Sequence, residues 1–312
     1  MYDVVALGEL LIDLTALSAD EDGYPLLSAH PGGAPANFLA AVAKAGGRTA
    51  LLGKVGSDRF GRLLNATLQK AGIDTKGLVM SDDFFTTLAF VTLDGNGDRD
   101  FSFARKPGAD TQLRFEELDL SLIDGARAFH FGSLSLTDEP AKSTTRQAVA
   151  YAKEAGRLIS FDPNLRRPLW RSLDDAKEQM LWGLSQADVV KISDEEVDFL
   201  FSCGPEEGAC RILGDFPVSL VFVTCGADGC FFRNRKAAGH VESLRGIRAT
   251  DTTGAGDIFG GSALWKLLCS GKAPDTLGED ELREIASFAS KAAGLSTTKP
   301  GGISSVPDVA SL

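Results

Sequence analysis

Residues 128–162, AFHFG SLSLTDE PAKSTTRQAVAYAKEAG R LISFD, read as a strand, a helix and a second strand in succession. The runs 128–132 and 158–162 are short and largely apolar, while 140–155 carries apolar residues at helical spacing and stops on Gly156. Strands apolar on both faces are what a parallel sheet covered on both sides requires. Glycine best tolerates the left-handed position that ends a helix. A crossover helix between two such strands makes them parallel neighbours.

The same alternation extends outward in both directions. Strand runs recur at 3–7, 49–55, 189–192 and 220–224, and helical patterns at 37–45, 58–71, 194–202 and 255–270. The expected fold is α/β: a doubly wound, mostly parallel sheet flanked by helices, in a single domain over residues 1–312. One segment departs from this. Residues 86–93 (TTLAFVTL) alternate with period two, Asp94-Gly95-Asn96-Gly97 follows, and 99–104 (RDFSFA) returns, which predicts a β-hairpin. A second strand pair is expected at 12–16 and 26–29, joined by the acidic turn 18–23. Together, segments 12–30 and 86–105 predict a small β-sheet projecting from the main domain. Such a sheet suits a lid over a site or a contact with a second subunit.

Bulk composition narrows the function classes. Hydrophobic content of 44% and charged content of 24% predict a globular chain with a sizeable core. A net charge of −11 argues against a nucleic-acid partner, since phosphate backbones need a basic face. No uncharged apolar stretch reaches the roughly 18 residues that span a bilayer, so no membrane partner is expected. The first residues, MYDVVALGELLIDL, carry Asp3 and Glu9 and read as a strand rather than a secretion signal. The five cysteines, at 203, 210, 225, 230 and 269, form no C-x-x-C pair, and the expectation is reduced, mostly buried thiols in a cytoplasmic protein.

Local chemistry concentrates where glycine-rich turns open helices. Asp251-Thr-Thr-Gly-Ala-Gly-Asp257 precedes the apolar run IFGGSALWKLL. Small residues there let several backbone N–H groups point into one space, and the helix dipole adds positive potential, so the turn favours an anion with Asp257 beside it. The same residues also fit an ordinary glycine-rich turn with an acid in the first helical turn. Gly32-Gly33-Ala-Pro-Ala-Asn37 opens another helix, where two glycines permit close approach to a ligand and Asn37 is both donor and acceptor. Asp162-Pro163-Asn164-Leu165-Arg166, Lys191-Ile192-Ser193 through Glu196, and Thr224-Cys225-Gly226 through Gly229 each follow a predicted strand, on the sheet edge where ligands of open α/β sheets bind. Two rival nucleotide motifs fail. Gly47 and Gly53-Lys54-Val55 are one residue too far apart for a P-loop and lack its hydroxyl. Gly8 stands alone where a dinucleotide fold needs three glycines.

GGAPAN and DTTGAGD, with DPN, K-x-S-x-x-E and T-x-G-x-x-G between them, resemble the PfkB/ribokinase-type carbohydrate kinases from Gly8 to Pro307. GGAPAN, FDPNLR and the stretch from Arg105 to Asp110 look most like the bacterial fructokinases of that family. The resemblance implies a ribokinase-like domain with a β-sheet lid. It implies transfer of the γ-phosphoryl group of ATP to a primary hydroxyl, with Asp257 as base and Gly254, Ala255 and Gly256 as the anion hole. Sugar contacts would come from Asp13, Gly32, Gly33, Asn37, Arg105 and Arg166. Nucleotide contacts would come from Ser193, Thr224, Gly226 and Gly229, with Glu196 organising Mg²⁺ through water. Fructose is the expected substrate and a homodimer joined through the lids the expected assembly. Kinases of 2-keto-3-deoxygluconate, aminoimidazole riboside or another nucleoside are the alternatives, Phe101 and Phe103 suiting a base; a sugar sensor without activity is a further one.

Two departures from the family pattern stand out. Ser193 replaces the usual Asn, and Ser133 lies where ribokinases typically carry a Glu, which argues against ribose. A K⁺ activation site is also expected beside the anion hole. Asp251 and Thr253 would supply part of its oxygen shell. The run from Ser296 to Ser305 resembles the family's second half, with carbonyls around Ser296, Lys299 and Gly301 and the hydroxyl of Ser305.

Overall fold

The computed structural model describes residues 1–93 and 99–308, apart from the side chains of 92, 93 and 99–101. The larger sheet holds β1 (Tyr2–Leu7), β4 (Thr49–Gly56), β5 (Ile73–Asp74), β6 (Leu78–Ser81), β9 (Ala126–Gly132), β10 (Leu158–Asp162), β11 (Val189–Ser193), β12 (Leu220–Thr224), β13 (Cys230–Asn234) and β14 (Ala238–Val241). Their order is β14-β13-β12-β11-β10-β9-β1-β4-β5, with β6 also paired to β4. All neighbours are parallel except β12–β13 and β13–β14. The six predicted strands are present, and β5, β6 and the antiparallel β13 and β14 add to them.

Period-two geometry explains why the central strands are apolar throughout. In β1, Val4 and Ala6 pack into the core on one face while Val5 and Leu7 pack into the core on the other. One face is covered by α1 (Ala34–Lys44), α2 (Arg59–Lys70), α8 (Ala255–Ser270) and α9 (Glu279–Ser296). The other carries α3 (Leu120–Asp124), α4 (Ala141–Glu154), α5 (Leu173–Gln186), α6 (Asp194–Phe201) and α7 (Pro205–Asp215). Helix α8 lies between α1 and α9, so apolar residues all round it are buried, among them Ile258, Phe259, Leu264 and Leu267.

A separate four-stranded sheet has the order β3-β2-β7-β8, from β2 (Leu11–Ala19), β3 (Pro25–Gly32), β7 (Leu88–Leu93) and β8 (Arg99–Ala104). β7 and β8 form the expected antiparallel pair, and β2 runs parallel to β7. The turn predicted at Asp94–Gly97 lies outside the described residues. β2 and β3 run longer than predicted because pairing extends to Leu11 and Gly32 at one end and past an irregularity between Ala16 and Ser18 at the other. The expectation of mostly buried thiols is corrected: all five cysteines are free, but only Cys230 is buried, while Cys210 and Cys269 are exposed. Cys210 lies on the outer side of α7 and Cys269 near the C-terminal end of α8, where the helices meet solvent. Among the described residues, no helix is long and apolar enough to cross a membrane.

Candidate active site

Helix α8 begins on Gly254, whose left-handed conformation (φ 76°, ψ 0°) suits glycine. A Cβ there would stand 2.9 Å from Asn37 Nδ2 and 3.0 Å from Gly302 Cα; one on Gly256 would stand 2.8 Å from Lys191 Nζ. No side chain caps this end. The amides of Gly256 and Asp257, in the first turn, therefore face outward without intrahelical partners and form a site for an anion.

Asp257 sits in the first turn of α8, and its Oδ2 accepts a hydrogen bond from Asn37 Nδ2 at 2.9 Å. Burial pushes its carboxyl above the ordinary carboxylate range, while Lys191, Asn37 and Arg166 pull it back down. Asn37 is held in place by Gly33, the residue before α1. Gly33 adopts φ 119°, and a Cβ there would be 2.5 Å from the Glu9 carbonyl. Asp13 lies against Gly32, where any Cβ would collide with its carboxylate. The turn after β10 places Asn164 at φ 41°, a left-handed value that Asn tolerates. Ser133 is fully buried and donates to the Pro163 carbonyl, so it braces this turn instead of facing a ligand.

Three cavities meet at the start of α8. One of about 270 Å³ is lined by Asp13, Gly33, Asn37, Phe103, Arg166, Gly254 and Asp257, and also by Glu9, Leu134 and Asn164. A second, about 680 Å³, is bounded by Arg166, Lys191, Ser193, Glu195, Glu196, Thr224, Gly226, Gly256 and Asp257. A third, about 410 Å³, has a mainly apolar wall of Leu244, Ile247, Ala255, Phe259, Ala293 and Gly294, and reaches Thr224, Gly226 and Gly229. Gly254 and Asp257 belong to the first two, and Gly256 to the last two. This is a small polar chamber, a charged middle and an apolar slot in line, with a carboxylate and an anion cradle at the junction.

A family model described as pfkB family carbohydrate kinase matches residues 1–309. The chain belongs to that family. This kinase is 42% identical over 308 residues to fructokinase-1 of Zea mays, covering 97% of this chain and 94% of the maize protein. Among solved structures, it resembles the fructokinase of Xylella fastidiosa with bound ATP, at a TM-score of 0.90 and 32% identity, covering 98% of this chain and 96% of that one. The fructokinase of Vibrio cholerae O395 bound to fructose, ADP and calcium matches at a TM-score of 0.87 and 33% identity, covering 99% and 97%.

In this kinase the structure gathers most of the residues singled out in the sequence. Arg105 lies behind the small chamber, off its wall. It is buried, with Nε donating to Asp110 Oδ2 at 2.7 Å, Nη1 to Thr137 at 2.9 Å and Nη2 to the Leu134 carbonyl at 2.8 Å. The Ser193 hydroxyl accepts from the Glu196 amide at 3.2 Å as the cap of α6. Both Glu196 oxygens accept backbone N–H groups, from Leu165 at 2.7 Å and Ser193 at 2.9 Å. Those bonds leave second lone pairs that fit a water-mediated role toward a metal and do not suit direct ligation. Asp251 joins two loops, accepting from Thr253 N at 2.9 Å and Gly301 N at 2.8 Å. The amides of Thr250 and Asp251 meet the Thr297 carbonyl at 2.7 and 3.0 Å. Ser305 is buried and donates to the Gly302 carbonyl at 2.8 Å, which leaves its oxygen able to accept. Carbonyl and hydroxyl oxygens of this kind fit a hard monovalent cation.

Sequence reading missed three features. Lys191 stands in the middle of the charged region, 3.1 Å from Asp162. Burial works against its ammonium, but Asp162, Glu196 and Asp257 outweigh that and raise its pKa. The signal was there, since a lysine interrupts an apolar strand. Glu9 is the second, an acid directly after the first strand and 3% exposed. The apolar slot is the third; its walls come from separate loops and helices and carry no local motif.

Proposed function

We propose that this protein is an ATP-dependent fructokinase, and the position of Asp257 carries the reading. It stands where the small polar chamber meets the charged cavity, at the mouth of an anion cradle. Fructose occupies the chamber, with Asp13, Gly32, Gly33, Asn37 and Arg166 around it. The phosphates of ATP lie in the middle cavity beside Ser193, Thr224 and Gly226, and the adenine lies in the apolar slot past Gly229. Asp257 accepts the proton of a primary hydroxyl, whose oxygen attacks the γ-phosphorus. The bond to the bridging oxygen breaks, and ADP leaves. The turn Gly254-Ala255-Gly256 shapes the cradle; the Ala255 amide is taken by the Thr252 carbonyl, and those of Gly256 and Asp257 hold the transferred group as its charge redistributes.

Glu196 would hold a nucleotide-bound Mg²⁺ through water, and the ion would supply neutralisation of phosphate charge. Asp251, Thr253, Ser296, Lys299, Gly301 and Ser305 would hold K⁺, partly through carbonyls, and so brace the cradle from behind. The small sheet acts as a lid over the sugar, through residues 12–30 and 86–105, within a single-domain cytoplasmic enzyme. Its outer surface exposes Leu17, Tyr24, Leu26 and Leu27, which suits a homodimer joined through two such sheets.

A coupled ADP-release assay over fructose, ribose, ketodeoxygluconate, tagatose and nucleosides tests the reading. Fructose should give the highest kcat/KM. A nucleoside or ketodeoxygluconate better by about tenfold would overturn the substrate. Absence of sugar-dependent ATP turnover with every compound would overturn the kinase reading.

A further inference from the structure

Glu9 follows β1 and lines the small chamber, yet its side chain is almost entirely buried, 3% exposed. Its Oε1 accepts the amide of Ala34, the first residue of α1, at 2.8 Å. Its own backbone N–H is the other group that donates to the carboxylate. Among the described residues, no side chain donates to it. The carboxyl has more acceptor positions than two backbone amides fill, which leaves the rest for the chamber. Once a ligand displaces water from the chamber, leaving those acceptors unmet is costly, which favours a ligand that donates hydrogen bonds. The backbone geometry fixes the direction: Gly33 lets the loop before α1 close onto the Glu9 carbonyl, which pins the residue from two sides.

We infer that Glu9 is a specificity residue for the sugar, accepting a hydrogen bond from a hydroxyl other than the one that Asp257 deprotonates. The inference rests on the fructokinase reading above. Asp257 is tied to Asn37 and reserved for the reacting hydroxyl. Glu9 adds a further fixed point on the wall that also carries Asp13, Gly33 and Asn37. Such a contact selects for a hydroxyl at one ring position, because a substrate without it leaves a buried acceptor unmet.

Glu9→Gln tests this cleanly. The glutamine carbonyl keeps the bond from Ala34, so the loop is retained, while an NH₂ replaces the acceptor that faces the sugar. The expected result is a KM for fructose raised about ten- to a hundred-fold, with kcat within about threefold and KM for ATP unchanged. Across a series of monodeoxyfructoses, one analogue should be handled equally by wild type and variant, which names the hydroxyl. Calorimetric titration of fructose into each protein without ATP should show the same loss. A KM within about twofold of wild type overturns the inference. So does an equal loss for every analogue, which would mean that the loop had moved. If wild type itself prefers another sugar, the functional reading falls first. The variant is then read on that sugar and its own deoxy series, so the two failures remain separate.

Discussion

Asn37 Nδ2 donates to Asp257 Oδ2 at 2.9 Å, joining the start of α1 to the start of α8 across 220 positions of sequence. The bond stabilises the ionised carboxylate against the burial that raises its pKa. Asp257→Asn should keep the fold and ATP binding but lower kcat by ~10²–10⁴-fold. A variant within about threefold of wild type would remove Asp257 as the base. Asn37→Ala should shift the acid limb of the kcat/KM profile to higher pH, since losing the donor lets burial raise the Asp257 pKa further. An unmoved limb would detach Asn37 from the base.

Glu9 makes a stability prediction with a defined sign. Burial pushes its carboxyl up to about 7 from an ordinary 4.5, against two backbone hydrogen bonds and Arg105. Below the ordinary value, folded and unfolded chains are both protonated. Between the two values the unfolded chain releases the proton and the native one keeps it, so stability falls as pH rises. The loss is at most about 3 kcal/mol. Urea unfolding of wild type and Glu9→Gln, compared from about pH 5 to about pH 8, should show the variant gaining on wild type. A constant difference would show that Glu9 does not titrate in that window.

Lys191 neutralises a crowded region. Its bond to Asp162 is nearly excluded from water, the two side chains being 12% and 4% exposed. Burial pushes the Asp162 carboxyl up and Lys191 opposes it. Lys191→Met should destabilise the protein by about 3–5 kcal/mol, because Asp162 is left buried without a counter-charge. Adding Asp162→Asn should recover much of that loss in denaturant melts. If the double variant is no more stable than the single one, the ion pair is not the source.

The cation proposal is tested by replacing K⁺ with tetramethylammonium at constant ionic strength. The expected result is a lower kcat/KM, since the loops carrying Asp251 and Gly301 back directly onto the anion cradle. Unchanged values for both sugar and ATP would remove the site.

For the assembly, light scattering at tens of micromolar protein should give twice the monomer mass. Leu27→Asp, on an edge strand of the small sheet, should give a monomer. A wild-type monomer would refute the dimer.

Legibility in the sequence followed locality. The central strands were readable because both faces are buried, so they are apolar without a break. β13 alternates buried and half-buried residues and offers a weaker pattern. The cradle was readable because small residues must be adjacent in sequence to open one helix end. The apolar slot was not, since Leu244, Ile247 and Ala293 meet only after folding. Arg105 shows the limit from the other side: its position near the site was readable, while its commitment to Asp110 depends on how a loop closes. Sequence reading found the strand ends and their loops, but side chains aimed inward from those ends, such as Lys191, needed the packed structure.

The long-range bond between Asn37 and Asp257 has a consequence for synthesis. At about 5–20 residues per second, a ribosome delivers Asn37 roughly ten to forty seconds before Asp257. Through that interval the nascent chain carries Asp13, Gly33 and Asn37 but neither Asp257 nor the glycine-rich turn before it. A product stalled before Asp257 would lack the proposed base and the proposed anion cradle together.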